Sequence, residues 1–163
     1  MNVAAEASRP PGSVGPSPTG LTILALLCGW LVPGLGHILL RRVRRGLFFS
    51  ALVLGSFALG VTHEGRVALR DERQAPFLSA MQVVANAGVG LADLAARHHV
   101  YGAVTYALPN DPGAPSYEAW LGILRDRTRS VASIYGTAYL WTAGLMNLLL
   151  LFDIWDIGRG RKQ

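Results

Sequence analysis

Residues 21–61, LTILALLCGWLVPGLGHILLRRVRRGLFFSALVLGSFALGV, contain two uncharged apolar runs joined by a short basic segment. The first run covers residues 21–40 and the second covers residues 46–62. At about 1.5 Å per helical residue, runs of this length approach the roughly 30 Å thickness of a bilayer's hydrocarbon core. Because only five residues connect the runs, we expect an antiparallel hairpin of two membrane-spanning helices.

The composition of the whole chain agrees with a membrane environment. Of its 163 residues, 51% are hydrophobic and 15% are charged, whereas a soluble domain carries about 25% charged residues. We therefore predict one all-helical, multi-pass domain in the cell (inner) membrane. Residues 1–20 contain four prolines and three glycines and are expected to form a flexible tail. A cleaved signal peptide with its apolar centre over residues 21–32 is the alternative.

Pro33 interrupts the first apolar run. Proline removes a backbone donor and clashes with the preceding turn, and Gly34 and Gly36 add backbone freedom. The sequence predicts a helix over about residues 21–32, a break, and a further turn of helix that carries His37. We expect a structural role for His37, with its ring hydrogen-bonded to backbone that the break leaves free. Contact with lipid headgroups or with protons is the alternative.

The segment that joins the two runs is strongly basic and contains Arg41, Arg42, Arg44 and Arg45, followed by Gly46. Arginines next to a membrane span mark its cytoplasmic side and attract anionic lipid headgroups. This places the hairpin tip in the cytoplasm and the N-terminal tail outside. A net charge of +5 could also suit a nucleic-acid binder, but these arginines flank apolar runs and do not form a soluble basic face. The expected partners are therefore membrane lipids and not nucleic acid.

The middle of the chain is less apolar. We expect residues 63–76 to be a solvated connector and residues 97–116 to be a loop, because the second segment is rich in helix breakers. Between them, residues 77–96 are apolar but include Asn86 and Asp93. A carboxylate within a bilayer is unfavourable, so this central, weakly apolar helix is either a weak span or lies against the bundle.

The C-terminal third contains no proline from Tyr117 to Ile157, which predicts one long helix that leaves water and crosses the bilayer over residues 131–152. The total is three spans plus one ambiguous helix. Three spans place both basic clusters in the cytoplasm, whereas four spans separate them, so the orientation stays open.

Polar residues in this last helix have two interpretations. Gly136, Ala143 and Asn147 recur at helical spacing and predict a packing face whose amide bonds another helix, either of this chain or of a second copy. Asp153 and Asp156 share a face at the helix exit. They are expected to be a solvated interfacial acidic pair beside Arg159, and ion binding is the alternative.

Three segments carry a resemblance to a known family. Residues 31–37, LVPGLGH, with the arginines that follow, resemble the first hairpin of an uncharacterised bacterial membrane family, the domain of unknown function 6677. That hairpin is itself similar to the two-transmembrane-helix domain. Residues 86–91, NAGVGL, and residues 143–149, AGLMNLL, resemble the family's central segment and last span. The resemblance covers about residues 21–158 and implies a polytopic helical membrane fold, without an activity to transfer.

No residue pattern in the sequence predicts a catalytic, cofactor or metal site. Residues 34–36, GLG, lack the third glycine and the preceding strand of a dinucleotide loop. The adjacent His98 and His99 would point roughly 100° apart on a helix, and no Cys or Glu stands at ligand spacing. The single cysteine, Cys28, excludes an intramolecular disulfide.

Three functions follow as hypotheses. The first is a small, non-enzymatic membrane protein that acts through helix packing and protein contacts, with a second copy or another membrane protein as partner. The second is a component of a transporter or channel that uses the intramembrane residues Asn86, Asp93 and Asn147. The third, a lipid-modifying enzyme, rests only on His37 beside the arginines.

Overall fold

The computed structural model describes residues 18–73 and 75–161, which form seven helices and no strand. The predicted all-helical class is confirmed. Two of these helices, α3 and α7, are long and apolar enough to cross a membrane, with 20 and 28 residues. The helices are α1 (Pro18–Leu31), α2 (Leu35–Leu39), α3 (Val43–Thr62), α4 (Pro76–Ala87), α5 (Leu91–Tyr101), α6 (Pro115–Asp126) and α7 (Val131–Gly158). The predicted flexible tail lies almost entirely outside the described residues.

Helices α3 and α7 pack against each other in antiparallel directions and form the frame of the fold. Gly60 of α3 lies against Gly136 of α7, and the Ser56 hydroxyl donates to the Tyr139 carbonyl at 3.3 Å. Leu140 beside them is fully buried. Small residues allow this close approach, since a side chain at either glycine would meet backbone atoms of the other helix.

The first apolar run folds back on itself at the predicted break. Helix α1 ends at Leu31, Gly34 adopts a left-handed φ of 83°, and α2 follows at once. Gly36 of α2 then packs against the carbonyl of Ala25 in α1. Residues 21–40 therefore form a helical hairpin and not one continuous helix.

Both ends of the α1–α2 hairpin lie beside the C-terminal end of α7. Thr22 near the start of α1 packs against Gly158, and His37 of α2 reaches Asp153. The first described residues are thus at the same end of the molecule as the arginine segment 41–45. We expected one span to separate residue 21 from the arginines, but the α1–α2 hairpin reverses and brings both to one end of the molecule.

The central helix predicted over residues 77–96 is two helices, α4 and α5, which meet at an angle of 116°. Gly90, with a φ of 63°, makes the turn between them. The segment after α3 holds both outer ends of this second hairpin: the Asp71 N–H donates to Ser79 in α4, and Arg97 in α5 donates to the Ala68 carbonyl. The α4–α5 hairpin therefore enters from the end opposite to the α1–α2 hairpin.

A folded unit, which we call the cap, comprises residues 63–73 and 102–130. The expectation of a solvated connector before α4 is wrong, because Val67, Ala68 and Leu69 are 1%, 0% and 0% exposed. The Arg70 N–H donates to the Tyr106 carbonyl at 2.7 Å, which joins this segment to the loop after α5. Val67 and Leu69 belong to the same buried cluster as Val53 of α3 and Leu140 of α7, so the cap shares its core with the long helices.

The long helix predicted from Tyr117 to Ile157 is also two helices. Helix α6 ends at Asp126, and α7 begins at Val131 after a turn. The Ser130 hydroxyl caps α7 by accepting from the Ser133 N–H at 3.0 Å. Proline is absent here, so this break depends on capping and on contacts within the cap.

Gly144 offers a direct test of the helix contacts. A β-carbon at Gly144 would collide with the carbonyl of Ala85 in α4, whereas one at Gly55 would meet nothing within 4 Å. We expect Gly144→Ala to destabilise the protein by about 1–3 kcal/mol, because α4 must move away from α7. Gly55→Ala is the matched control and should leave the thermal midpoint in detergent unchanged or slightly raised. Equal midpoints for the two variants would contradict the packing described.

Candidate functional site

The two hairpins enter from opposite ends and meet at their tips. Gly90, at the turn of the second hairpin, lies against the backbone of Trp30 and Leu31 at the end of α1. The Trp30 indole N–H donates to the Ala87 carbonyl at 3.0 Å. We call this meeting point the junction, and a side chain at position 90 would have no room in it.

Asn147 of α7 is fully buried at the junction. Its amide Nδ2 donates to the Gly29 carbonyl at 3.1 Å and to the Gly88 carbonyl at 2.8 Å. Gly29 lies four residues before Pro33, which has no N–H to return an intrahelical bond. Gly88 lies at the break between α4 and α5. One side chain therefore bonds a backbone acceptor in each of the two broken segments.

The packing face predicted around Asn147 lies inside the chain. Gly136, Ala143 and Asn147 are all buried. The two carbonyls that Asn147 bonds lie in α1 and at the α4–α5 break of the same chain. Both hydrogen bonds that the Asn147 amide nitrogen donates are thus made within this chain.

His37 makes a long-range contact with a carboxylate. The fully buried imidazole Nε2 donates to Asp153 Oδ2 at 3.1 Å, while Asp153 is 25% exposed. The Phe49 ring lies 5.3 Å from the imidazole, measured between centroids. The expectation that this ring bonds backbone freed by the break is wrong: Ser50 instead donates to the Pro33 carbonyl at 2.5 Å. The contact between His37 and Asp153 joins α2 to the end of α7.

The His37 and Asp153 pairing is testable by a double-mutant cycle. We expect His37→Ala and Asp153→Ala each to destabilise the protein, and the double variant to cost less than their sum by about 1–2 kcal/mol. Thermal unfolding in detergent measures the three values. Strictly additive costs would show that the two side chains do not interact.

Asp153 and Arg159 near the end of α7 each make a defined contact. Asp153 faces His37, so the interpretation as a solvated acidic pair does not hold for it. Arg159 places its guanidinium carbon 4.2 Å from the centroid of the Trp155 ring. Such an Arg on Trp contact is typical of a helix end at a membrane surface.

The arginine segment lies at one end of the molecule. Arg41, Arg44 and Arg45 are exposed and Arg42 is half-buried, around a shallow recess of about 470 Å³. Gly46 after them is buried against Gly34 and Ile38. Since α7 also ends here, Arg159 and Arg161 lie at the same end. We call this the basic end; it combines six arginines with Asp153 and Asp156.

Helix α5 contains a buried ion pair beside the cap, which the sequence analysis did not predict. Arg97 is fully buried, and its Nε donates to Asp93 Oδ2 at 2.7 Å. One terminal nitrogen of Arg97 donates to the Ala68 and Thr105 carbonyls, both at 2.8 Å. The spacing of four residues between Asp93 and Arg97 was a usable signal, because side chains so spaced are neighbours on a helix.

Tyr106 covers this ion pair from the cap side. The Arg97 guanidinium carbon is 4.1 Å from the centre of the Tyr106 ring. Burial, and next the nearby Asp93 carboxylate, raise the pKa of the Tyr106 phenol above its ordinary value of 10.0. The phenol therefore stays uncharged at neutral pH, which suits a ring that packs on a cation.

The side chains considered for metal binding and for transport have different surroundings in the structure. Within residues 18–73 and 75–161, no group of three His, Cys, Asp or Glu side chains could hold a metal ion. The polar side chains proposed for transport are separate in role, since Asp93 binds Arg97 and Asn147 binds backbone. Asn86 is fully buried, and neither of its amide atoms has a hydrogen-bond partner in the described part of the chain.

These features define a class: an all-helical protein built on two helices that are long and apolar enough to cross a membrane. Residues 24–163 match a family of unknown function, DUF6677, and the chain belongs to that family. No curated protein and no solved structure matches the chain.

Proposed function

We propose that this protein is a non-enzymatic, multi-pass protein of the bacterial inner membrane that acts through helix packing and presents its cap to another protein. The observation that carries the proposal is the fully buried Arg97, which ties helix α5 to two loops of the cap. A buried arginine with a carboxylate and two carbonyls holds these loops in one geometry. A rigid surface of this kind suits recognition of a partner protein.

The polar groups of the membrane part support the same proposal. Asn147 and His37 are both fully buried, and both join segments that are distant in sequence. Neither side chain lines the recess at the arginine segment or the recess where α7 leaves the cap. Their contacts stabilise the two broken helices, so their role is to hold the scaffold together.

Photo-crosslinking in intact membranes tests the proposed contact. A photoreactive residue at Glu118, which is exposed on α6, should yield a discrete protein adduct. The same residue at Leu149, which is 67% exposed on α7, should yield lipid adducts only. Absence of a discrete adduct at the cap, or turnover of a substrate by the purified protein, would contradict the proposal.

The charge distribution predicts the orientation. The basic end has six arginines, whereas the cap has six arginines and six acidic residues. We propose that the basic end is cytoplasmic and contacts anionic headgroups, with the cap outside. A cysteine placed at position 63 or 110, with Cys28 replaced by Ser, should react with an impermeant reagent in intact cells, and one at position 161 should react only after lysis. The reverse pattern would show the opposite orientation.

A component of a small transporter or channel is the second candidate. The opposed hairpins favour it, because transporters bind substrates where broken helices meet inside the membrane. The unpartnered amide of Asn86 is the side chain that such a path would use. Solute or ion flux in proteoliposomes that Asn86→Leu abolishes would support transport, and no flux above empty liposomes would exclude it.

A further inference from the structure

A recess of about 290 Å³ lies where α7 leaves the cap, far from the arginine segment. The cap contributes Arg66 and Arg127, and α7 contributes Ile134, Ala138 and Trp141. The Arg127 guanidinium donates to the Gly65 carbonyl at 2.9 Å, which holds it in place. Among the described residues, no acidic side chain lines this recess, although Arg127 also borders a neighbouring recess that contains Glu64 and Asp126.

Two donors at this recess lack an acceptor. Arg66 Nε and Trp141 Nε1 are buried, and neither has a hydrogen-bond partner in the described part of the chain. Both groups can only donate, and a buried donor without an acceptor is costly. The complementary occupant is therefore rich in oxygen acceptors and carries negative charge.

Apart from the arginines, Thr128 and Thr137, the lining of the recess is apolar. Ile134, Ala138 and Trp141 follow one another at offsets of four and three residues, which places them on one stripe of α7 over roughly 10 Å. Ile134 is 62% exposed. An occupant that matches both parts has an anionic head beside the arginines and an apolar chain along this stripe.

We propose that this recess binds an anionic phospholipid from the leaflet on the cap side, with its phosphate at Arg66 and Arg127 and the start of an acyl chain against Trp141. A guanidinium and a phosphate form short, charge-assisted hydrogen bonds. A tryptophan at the edge of a membrane places its N–H towards headgroups and its ring towards acyl chains. The site differs from the basic end, whose arginines are mostly exposed, whereas Arg66 and Arg127 are half-buried.

Fluorescence quenching in nanodiscs tests this proposal on the full chain. The signal of Trp141 is the difference between the wild-type protein and Trp141→Phe. Brominated phosphatidylglycerol in a phosphatidylcholine background should quench that signal by half at a mole fraction roughly ten-fold lower than brominated phosphatidylcholine does. Arg66→Gln should remove most of this preference. Arg125→Gln, an exposed arginine of α6 outside the recess, is the matched control and should retain it.

Further arms identify the ligand. If Arg66→Gln does not fold, Arg66→Lys keeps the charge without Nε and should show an intermediate preference. Inorganic phosphate at millimolar concentration should not compete, because it lacks the apolar chain. Equal quenching by the two lipids, equal behaviour of Arg66→Gln and Arg125→Gln, or displacement by inorganic phosphate would each overturn the proposal. None of these outcomes depends on the protein contact proposed for the cap.

Discussion

Replacing Arg97 with methionine is expected to destabilise the protein by about 3–5 kcal/mol, because it leaves Asp93 as an uncompensated charge in a buried site. Asp93 is 1% exposed, and Arg97 is its ion-pair partner. The Ala68 and Thr105 carbonyls would also lose their donor. We expect a lower thermal midpoint in detergent and faster trypsin cleavage within the cap.

Two variants make this prediction specific. Arg125→Met removes an exposed arginine of α6 and should have little effect on stability. The double variant Asp93→Leu with Arg97→Met should recover much of the lost stability, since no charge is then buried alone. If Arg97→Met melted at the same temperature as Arg125→Met, the buried ion pair would not stabilise the cap.

Replacing Asn147 with leucine is expected to cost about 1–4 kcal/mol, from two hydrogen bonds of roughly 0.6–2 kcal/mol each. The Gly29 and Gly88 carbonyls would be left without a donor in a place that water does not reach. Asn147→Asp has nearly the same size but no amide donor, so it should be at least as harmful. Hydrogen exchange should accelerate at the two hairpin tips, near residues 29–33 and 87–91.

The control for Asn147 is Leu145→Ala on the same helix, because Leu145 is 51% exposed. It should leave exchange at the tips unchanged. Identical exchange and stability for Asn147→Leu and Leu145→Ala would show that the amide does not hold the two tips.

The positions of breaks in the apolar segments were predictable where proline or glycine causes them. Pro33 ends α1 as expected, because it cannot donate a backbone hydrogen bond. The glycines at positions 88 and 90 showed only that a turn was possible between α4 and α5, since glycine permits a turn without requiring one. The break between α6 and α7 had no such residue and was missed.

His37, Asp93 and Asn147 were predicted as polar residues of interest, whereas Arg97 and the pairings between side chains were not. Asn147 and His37 stood out because polar side chains are rare within apolar runs. The partners of these two residues could not be predicted. Asp153 is 116 residues from His37, and the acceptors of Asn147 are backbone carbonyls. Periodicity places residues on a face of one helix, but it does not say which other segment meets that face.

The sequence by itself determined the all-helical class, the apolar character of the helices and the break at Pro33, because composition and local backbone chemistry act over a few neighbouring residues. Only the tertiary structure decided that the chain turns back at that break, that a second hairpin meets it from the other end, and that Asn147 bonds both. Whether the chain continues straight or turns back after Pro33 depends on which distant group bonds the Gly29 carbonyl. That group is the Asn147 amide, and tertiary packing brings it there.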